Sequence, residues 1–528
     1  MDNAQKILKN TLLLTAASFL MQTVGVSFNV WLSARLGESG IGLFQLIMTV
    51  YNLAVTLGGG GVRLASTRLA VEGEAKQENT RRTVRRCIRY ALLTGSLAAV
   101  LLFAAAPIAA QYWLADVRAT LPLKILALSL PFVAMSSAMN GYFTAVKKVG
   151  RYSAVRIAEQ AVKIAIVMLL MGRLLPKGES YGCIAIVLGI LFSEGFSFLL
   201  LYVLYNIEKQ KYSTNIQKFT LRKLLHIAVP DVTGAGARSI LLTIEHLLIP
   251  RGFRRSGVSA ESALAVYGNI HGMVFPLLLY PSAILTSLSG LLIPEIAGRH
   301  ALGLEKQIAY MQRRVLRMTL FFAFGTAGIV YTFAQSLSMA VYQSDKCTFY
   351  LQILAPLIPV MYCDMTVDGL LKGLDEQRAS MRYNILDSGL CVVLVYILLP
   401  RFAVKGYIFI LFLSEIINFF LSMRRLCKVS IVELKLSEDV FLPLCCCVCA
   451  PVFVRFFTVQ IGSVYFANIW GLTVKIIVSL CLYLLFLYGF GGLRMEDVHW
   501  FIKTCGLTHI FRHKSANKIL VPHGFLWD

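Results

Sequence analysis

Charge is what this chain has least of. Asp, Glu, Lys and Arg make up 15% of its 528 residues and hydrophobic residues 57%, with a mean hydropathy of +0.68, whereas a soluble domain carries about 25% charge. An ordinary soluble globular protein is excluded. Acid is the scarcer sign, 28 residues against 51 basic ones, which leaves a net charge of +23. Catalytic signatures are missing too: there is no H-E-x-x-H, G-x-S-x-G or Walker sequence. The run Gly58-Gly59-Gly60-Gly61 is followed by Val62-Arg63 and not by Gly-Lys-Ser/Thr, so it is no phosphate loop. The twelve cysteines show no paired spacing. Cys445, Cys446, Cys447 and Cys449 lie in an apolar run, where successive helical residues point about 100° apart and do not converge on a metal. Neither an enzyme, a cofactor, a disulfide framework nor a metal site is expected.

Long apolar runs are what is present. At about 20 residues per crossing they fall near 10–33, 41–62, 88–113, 122–146, 153–175, 182–206, 224–249, 263–293, 315–340, 349–371, 383–400, 406–423, 440–460 and 467–490. The expected fold is all-α, a polytopic membrane protein of about fourteen spans. The first run is longer than a secretory signal core and no small-x-small cleavage site closes it, so it is expected to stay as span 1. Basic residues collect in 63–89, 147–156, 209–223, 299–317, 372–382 and 424–435, alternating with nearly uncharged turns at 114–121 and 341–348. Basic loops stay in the cytoplasm, which puts both termini there. Topology and contact with anionic lipid headgroups account for the positive charge, and no nucleic-acid partner is expected. Arg251, Arg254 and Arg255 depart from this pattern by falling on the outer side, either in an interfacial segment joining two halves or against an anion.

The chain also repeats itself. PFVAMSSAMNGYFTAVKKVGRYSAVRIAE, Pro131 to Glu159, lies over PVMYCDMTVDGLLKGLDEQRASMRYNILD, Pro359 to Asp387, without a gap, pairing Asn140-Gly141 with Asp368-Gly369. Ser193-Glu194 matches Ser414-Glu415, and Arg81-Arg82 matches Arg313-Arg314. Two similar helix bundles facing each other are the usual design of a transporter that rocks one half against the other. The expected division is an N-lobe at 1–207, a C-lobe at 208–435, two additional spans at 436–491 and a cytoplasmic tail at 492–528.

Ionised side chains inside the bilayer mark the candidate site, because each costs at least about 2.5 kcal/mol at the membrane centre unless it meets a cavity or a partner. Arg238 and Glu245 share one face of span 7: either they form an internal salt bridge, or Arg238 lines a cavity and binds an anion that Glu245 helps release. Arg63, directly beyond the glycines, reaches a substrate headgroup or snorkels to the interface. Glu159 and Lys163, four apart on span 5, have the spacing of a self-neutralising pair. Asp364 and Asp368 share a face and a sign, which suits water or a coupling cation; Glu194, with its repeat mate Glu415, serves helix contact or the cavity and is the third candidate for ion coupling. Pro276, Pro281, Pro294, Pro356 and Pro359 each remove a backbone donor and are candidate hinges.

ILKNTLLLTAASFL, LSARLGESGIGLFQLIMTVYNLAVTLGGGGVRLASTRLAVEGEA and IPRGFRRSGVSAESALAVYGNIHGMVFPLLLYPSAILTSLSGLLIPEIA resemble the stage V sporulation protein B group of polysaccharide exporters. That group lies in the superfamily of the lipid II flippases, the O-antigen flippases and the multidrug and toxic compound extrusion transporters. The resemblance runs from about residue 5 to about 490. It implies two six-helix lobes around a cavity with two helices appended. The implied cargo is an undecaprenyl-pyrophosphate-linked saccharide for cell wall or spore cortex, moved from inner to outer leaflet of the bacterial plasma membrane. The implied partners are that lipid-linked oligosaccharide, membrane lipids and cell-wall synthesis enzymes. Lipid II flippases use cavity arginines on the first two spans and an arginine with a nearby acid on the eighth. Arg35 and Arg63 stand at the matching spans here, while span 8 offers Asn269 and His271 in place of an arginine, leaving Arg238 on span 7 as the nearest substitute. A cation-coupled drug exporter of the same fold and a non-transporting scaffold for wall synthesis are the alternatives.

Overall fold

The computed structural model describes residues 2–75, 80–146, 148–207, 221–432, 434–460 and 469–493, and among these every regular element is helical. Helix α1 (Asp2–Gly59) breaks at Gly37, whose φ of 71° is left-handed and costs glycine little. α2 (Val62–Ala75), α3 (Thr80–Ile108), α4 (Thr120–Ala127), α5 (Leu130–Ala145), α6 (Val149–Leu174) and α7 (Glu179–Ile207) follow. After the gap come α8 (Leu221–Arg255), α9 (Ala260–Tyr267), a π-helical segment Gly268–Val274, α10 (Phe275–Leu279), α11 (Ala283–Ala301), α12 (Glu305–Thr332), α13 (Ala334–Tyr342), α14 (Thr348–Leu354) and α15 (Ile358–Gly373). The last are α16 (Gln377–Val429), broken at Ala403 just beyond Pro400, then α17 (Leu442–Gln460) and α18 (Ile469–Gly489).

Among the described residues ten helices are long and apolar enough to cross a membrane, and eleven with the bent pair Val117–Ala127 and Leu130–Ala145 taken as one span. This is a multi-pass membrane protein. The fourteen runs expected from sequence do not each emerge as a separate helix, because residues 19–72 and 377–429 each form one interrupted element. Such an element, at 1.5 Å per residue, is about 80 Å long against a core of about 30 Å, so the breaks at Gly37 and Ala403 give each of them room for two crossings. Of the expected C-terminal tail, all beyond Leu493 lies outside the described residues.

The internal repeat is a structural repeat. Leu130 and Ile358 start, and Ala145 and Gly373 end, helices of 16 residues that both carry Pro in the first turn. Val149 and Gln377, which begin α6 and α16, are the same 228 residues apart as those pairs. Helices α1 to α7 pack on one another, α8, α11, α12, α15 and α16 form a second set, and α17 with α18 docks on α12. The two sets meet where α1 and α2 lie against α8, α9 and the π-helical segment. The largest apolar core crosses that boundary, joining Leu43, Leu46 and Ile47 to Tyr267, Ile270 and Leu278. Proline marks real breaks here: Pro281 lies in the turn between α10 and α11, and Pro356 and Pro359 flank the start of α15.

Candidate functional site

The boundary between the sets is closed at both of its ends. At one, Lys346 Nζ lies 3.4 Å from Glu38, and Gly42 and Gly268 let the backbones of α1 and the π-helical segment touch, since a β-carbon on either would collide with main chain of the other side. Deeper along the same contact, Asn29 Nδ2 donates to Gly272 O at 2.6 Å. At the opposite end Lys223 pairs with Glu72. There Gly61, at φ +71°, packs on the Ala228 backbone, and Gly60 on Val232. The glycine run therefore serves a chain break and close approach between helices.

Between these ends, each set carries a cluster of ionisable groups. In the first, Arg156 Nη1 donates to both carboxylate oxygens of Glu159 at 2.7 Å and lies 3.9 Å from Glu194. Glu159 is buried, so an unpaired charge there would be costly. The cation that holds it is Arg156, one turn earlier, and no ion pair joins Glu159 to Lys163 among the described residues. The partner lies on the other side of Glu159 from Lys163, two turns away, because i,i+3 spacing brings side chains together as i,i+4 does.

In the second set the repeat substitutes neutral residues for those cations. Arg156 aligns with Asn384 and Lys163 with Cys391, while Glu159 aligns with Asp387. The carboxylates are held by neutral donors instead: Ser414 Oγ to Asp387 at 2.6 Å, Asn418 Nδ2 to Asp364 at 2.9 Å and Ser380 Oγ to Asp368 at 2.7 Å. Asp364 is buried, and its other oxygen, Oδ1, has no protein partner. Glu245 lies within electrostatic range of Asp387, and Glu415 of both Asp364 and Asp387. Arg238 is the cation that faces Asp387 from α8. The first cluster is balanced; the second is an acid pocket that Arg238 faces.

Arg238 is exposed and forms no ion pair with Glu245, so the internal salt bridge weighed from sequence is not made. Seven residues are two turns, about 10.5 Å along the axis, too far for direct contact. Arg35 and Arg63 are also exposed; Arg35 stands over the Trp31 ring at 5.9 Å. Asn269, by contrast, is buried and its Oδ1 accepts from Cys347 Sγ at 2.8 Å. Arg254 lines, with Arg118, a cleft of about 330 Å³ shared with Asp116, Glu179 and Glu261, where Arg118 pairs with Asp116 at 2.7 Å and with Glu179 at 3.8 Å. Among the described residues, no three His, Cys, Asp or Glu converge as a metal site, and the cysteines are free thiols.

Sequence reasoning missed Arg156 and the role of Asp387 as the hub of the acid pocket. Their signal was there, in the i,i+3 spacing to Glu159 and in the repeat. It also missed two histidine–tyrosine pairs, His246 with Tyr267 and His271 with Tyr407. The second joins residues 136 apart and has no local signature.

Residues 7–299 match the family described as polysaccharide biosynthesis protein. The chain belongs to that family. Among curated relatives, stage V sporulation protein B of Bacillus subtilis (strain 168) is 25% identical over 452 residues, covering 82% of this chain and 86% of the relative. Lipid II flippase MurJ of the same organism is 23% identical over 171 residues, 30% of this chain and 31% of that protein. Among solved structures, the lipid II flippase MurJ in an inward closed conformation superposes with a TM-score of 0.65 at 16% identity, covering 90% of this chain and 97% of that one. An inward-facing multidrug resistance MATE family transporter of the MOP superfamily gives 0.61 at 12% identity, over 79% of this chain and 98% of that one. This member of the polysaccharide biosynthesis protein family thus has the transporter fold of that superfamily.

Proposed function

We propose that this family member is a flippase that carries an undecaprenyl-pyrophosphate-linked saccharide, a cell-wall or spore-cortex precursor, from the inner to the outer leaflet of the bacterial plasma membrane by alternating access. The observation that carries the reading is Arg238: an exposed arginine beside the boundary of the two helix sets, facing Asp387 without a close ion pair. A guanidinium fork suits a pyrophosphate, and Glu245 and Asp387 compete for it when the cargo must leave. Arg63 and Arg35 add positive charge on the facing set. The polysaccharide biosynthesis family match and the similarity to a lipid II flippase support the cargo class.

In this reading residues 1–207 and 208–435 are the moving lobes, 436–491 an appended pair, and both termini are cytoplasmic. The Glu38–Lys346 end then faces outward and the Glu72–Lys223 end inward. A diphosphate carries roughly two negative charges, and each is worth about 2.3 kcal/mol per 100 mV, so an inside-negative potential favours export by about 4–5 kcal/mol. Asp364 and Asp368 are the carboxylates through which a cation would couple to transport. Glu194, held by Arg156, is less suited to that role. The protein is a transporter and not an enzyme. The test is a reconstituted flipping assay with a lipid-pyrophosphate saccharide: Arg238→Ala is expected to lose about ten- to hundredfold in rate, the worth of one charge-assisted contact, and Arg238→Lys to keep part of it. Full activity of the alanine variant removes Arg238 from the site.

The acid pocket around Asp387 favours one second reading, a cation-coupled drug exporter of the same fold. That protein would bind no lipid pyrophosphate in any state, and binding measured on the purified wild type separates the two.

A further inference from the structure

The arginines that close α8 have no part in the proposed transport. Gly252 and Phe253 fix their place: a β-carbon on Gly252 would collide with Leu399 of α16, and the Phe253 ring lies 5.9 Å from that of Tyr407, past the break in the same helix. The end of α8 is thus wedged against the bend of α16. Arg254 lines the cleft that also holds Ser39, which puts this corner at the Glu38–Lys346 end of the boundary. Arg251 and Arg255, one turn apart, share a neighbouring face. On α16 the bend carries Arg401 and Lys405, both exposed, and Gly406 folds back against Leu398 and Phe402, which holds Lys405 at the bend. The guanidinium of Arg255 stands over the Tyr396 ring at 5.6 Å, joining the two helices' cations into one patch. No acid balances it. Residues 246–260 and 388–414 contain neither Asp nor Glu, and among the described residues none of these four side chains makes an ion pair. Like charges one turn apart destabilise a helix, and the dipole at the end of α8 answers for only about half of one charge.

An apolar stripe leads up to the patch. Val393, Tyr396 and Ile397 are exposed at i, i+3 and i+4, and Arg401 follows four residues after Ile397, so the stripe ends on a cation. From Val393 to Arg401 the helix rises about 12 Å, most of the half-thickness of a hydrocarbon core of about 30 Å. We propose that this corner of the second helix set binds one anionic glycerophospholipid, its phosphate held by Arg251, Arg255, Arg401 and Lys405 and an acyl chain lying along Val393, Tyr396 and Ile397. A soluble phosphate would use the cations and leave the stripe bare; a neutral lipid would do the reverse. Only a lipid charged at its head meets both. Bound there, it bridges α8 and both halves of α16 and removes the repulsion among the arginines. In the orientation proposed above it belongs to the outer leaflet, where short loops otherwise avoid cations. The site depends neither on that orientation nor on which molecule is carried.

The test uses the full chain in nanodiscs of equimolar phosphatidylglycerol and phosphatidylcholine, with Ile397 replaced by the photoreactive p-benzoylphenylalanine and the captured lipid identified by mass spectrometry. Each cation at a membrane surface multiplies the preference for an anionic lipid about fivefold. Phosphatidylglycerol adducts are therefore expected to exceed phosphatidylcholine adducts at least about fivefold, and Arg255→Gln with Arg401→Gln to bring the ratio close to that of the bilayer. The same probe at Leu97 of α3, exposed on the first helix set, is expected to capture the two lipids in their bulk proportion. Equal capture at Ile397, an enrichment that survives the double variant, or the same enrichment at Leu97 overturns the proposal. So does loss of the preference on adding millimolar inorganic pyrophosphate, which would make the patch a site for soluble anions. Preferential capture of undecaprenyl pyrophosphate, added at a few per cent of the lipid, would assign the patch to the cargo and overturn it as well. If the double variant does not fold, Arg401→Gln and Lys405→Gln, each at an exposed position, are expected singly to lower the ratio about two- to fivefold, and Arg401→Lys to keep it; an unchanged ratio in both glutamine variants counts against the site.

Discussion

Arg156 shows how a single cation decides the chemistry of a lobe. It donates to both oxygens of buried Glu159 and approaches Glu194, so its removal leaves two carboxylates in an apolar setting. Arg156 is 43% exposed and Glu159 7%, so breaking the pair from the arginine side costs less than the about 3–5 kcal/mol of a fully buried pair. Arg156→Ala is expected to lower the thermal midpoint of the purified protein sharply, and Arg156→Ala with Glu159→Gln to recover much of the loss. A double variant no more stable than the single one would mean that Glu159 is not what Arg156 holds. The repeat sharpens the comparison, because the aligned positions are Asn384 and Asp387, where Ser414 supplies the bond instead. Asn384→Arg is then expected to draw Asp387 into an ion pair and weaken binding of a lipid pyrophosphate, measured by its dissociation constant.

At the scale of elements, two contacts depend on small or charged residues at fixed places. Gly42 and Gly268 allow main-chain contact that any β-carbon would block. Gly42→Val is expected to wedge α1 from the π-helical segment and raise thiol labelling at Lys346→Cys, whose wild-type side chain bonds Glu38 across the same end. Unaltered labelling would show that this end is not sealed by backbone contact. The appended helices rely on a buried ion pair: Arg317 Nε lies 3.0 Å from Asp439 Oδ1, with both side chains almost wholly covered. Arg317 also donates to Gly492 O beyond α18, and Gly325 and Gly328 bring Tyr483 and Cys447 against α12. Arg317→Ala is expected to free the segment after residue 436 for proteolysis while the first helix set stays resistant. Protection equal to wild type would assign the docking to apolar packing alone.

For the whole molecule, the ion pairs at opposite ends of the lobe boundary are mechanical claims. Glu38–Lys346 and Glu72–Lys223 cannot both persist through a cycle that opens each end in turn. A short bismaleimide joining Glu38→Cys to Lys346→Cys is expected to stop flipping, as is one joining Glu72→Cys to Lys223→Cys, and cleavable linkers should restore it. Transport that continues with either verified crosslink in place would refute rocking of these two lobes.

The sequence by itself determined the membrane class, the all-helical fold, the breaks at Pro281 and at the start of α15, and a repeat whose constant offset reappears in helix boundaries at Leu130 and Ile358. These follow from hydropathy, backbone chemistry and order along the chain, all of which are local. What only the tertiary structure decided was partnership: Arg156 with Glu159 and not Lys163, Arg238 apart from Glu245 and facing Asp387, Asn269 held by Cys347, and His271 beside Tyr407. Helical periodicity says which side of a helix a residue occupies. It does not say which other helix lies there, because that is fixed by apolar packing and close backbone approach between segments that can be hundreds of residues apart.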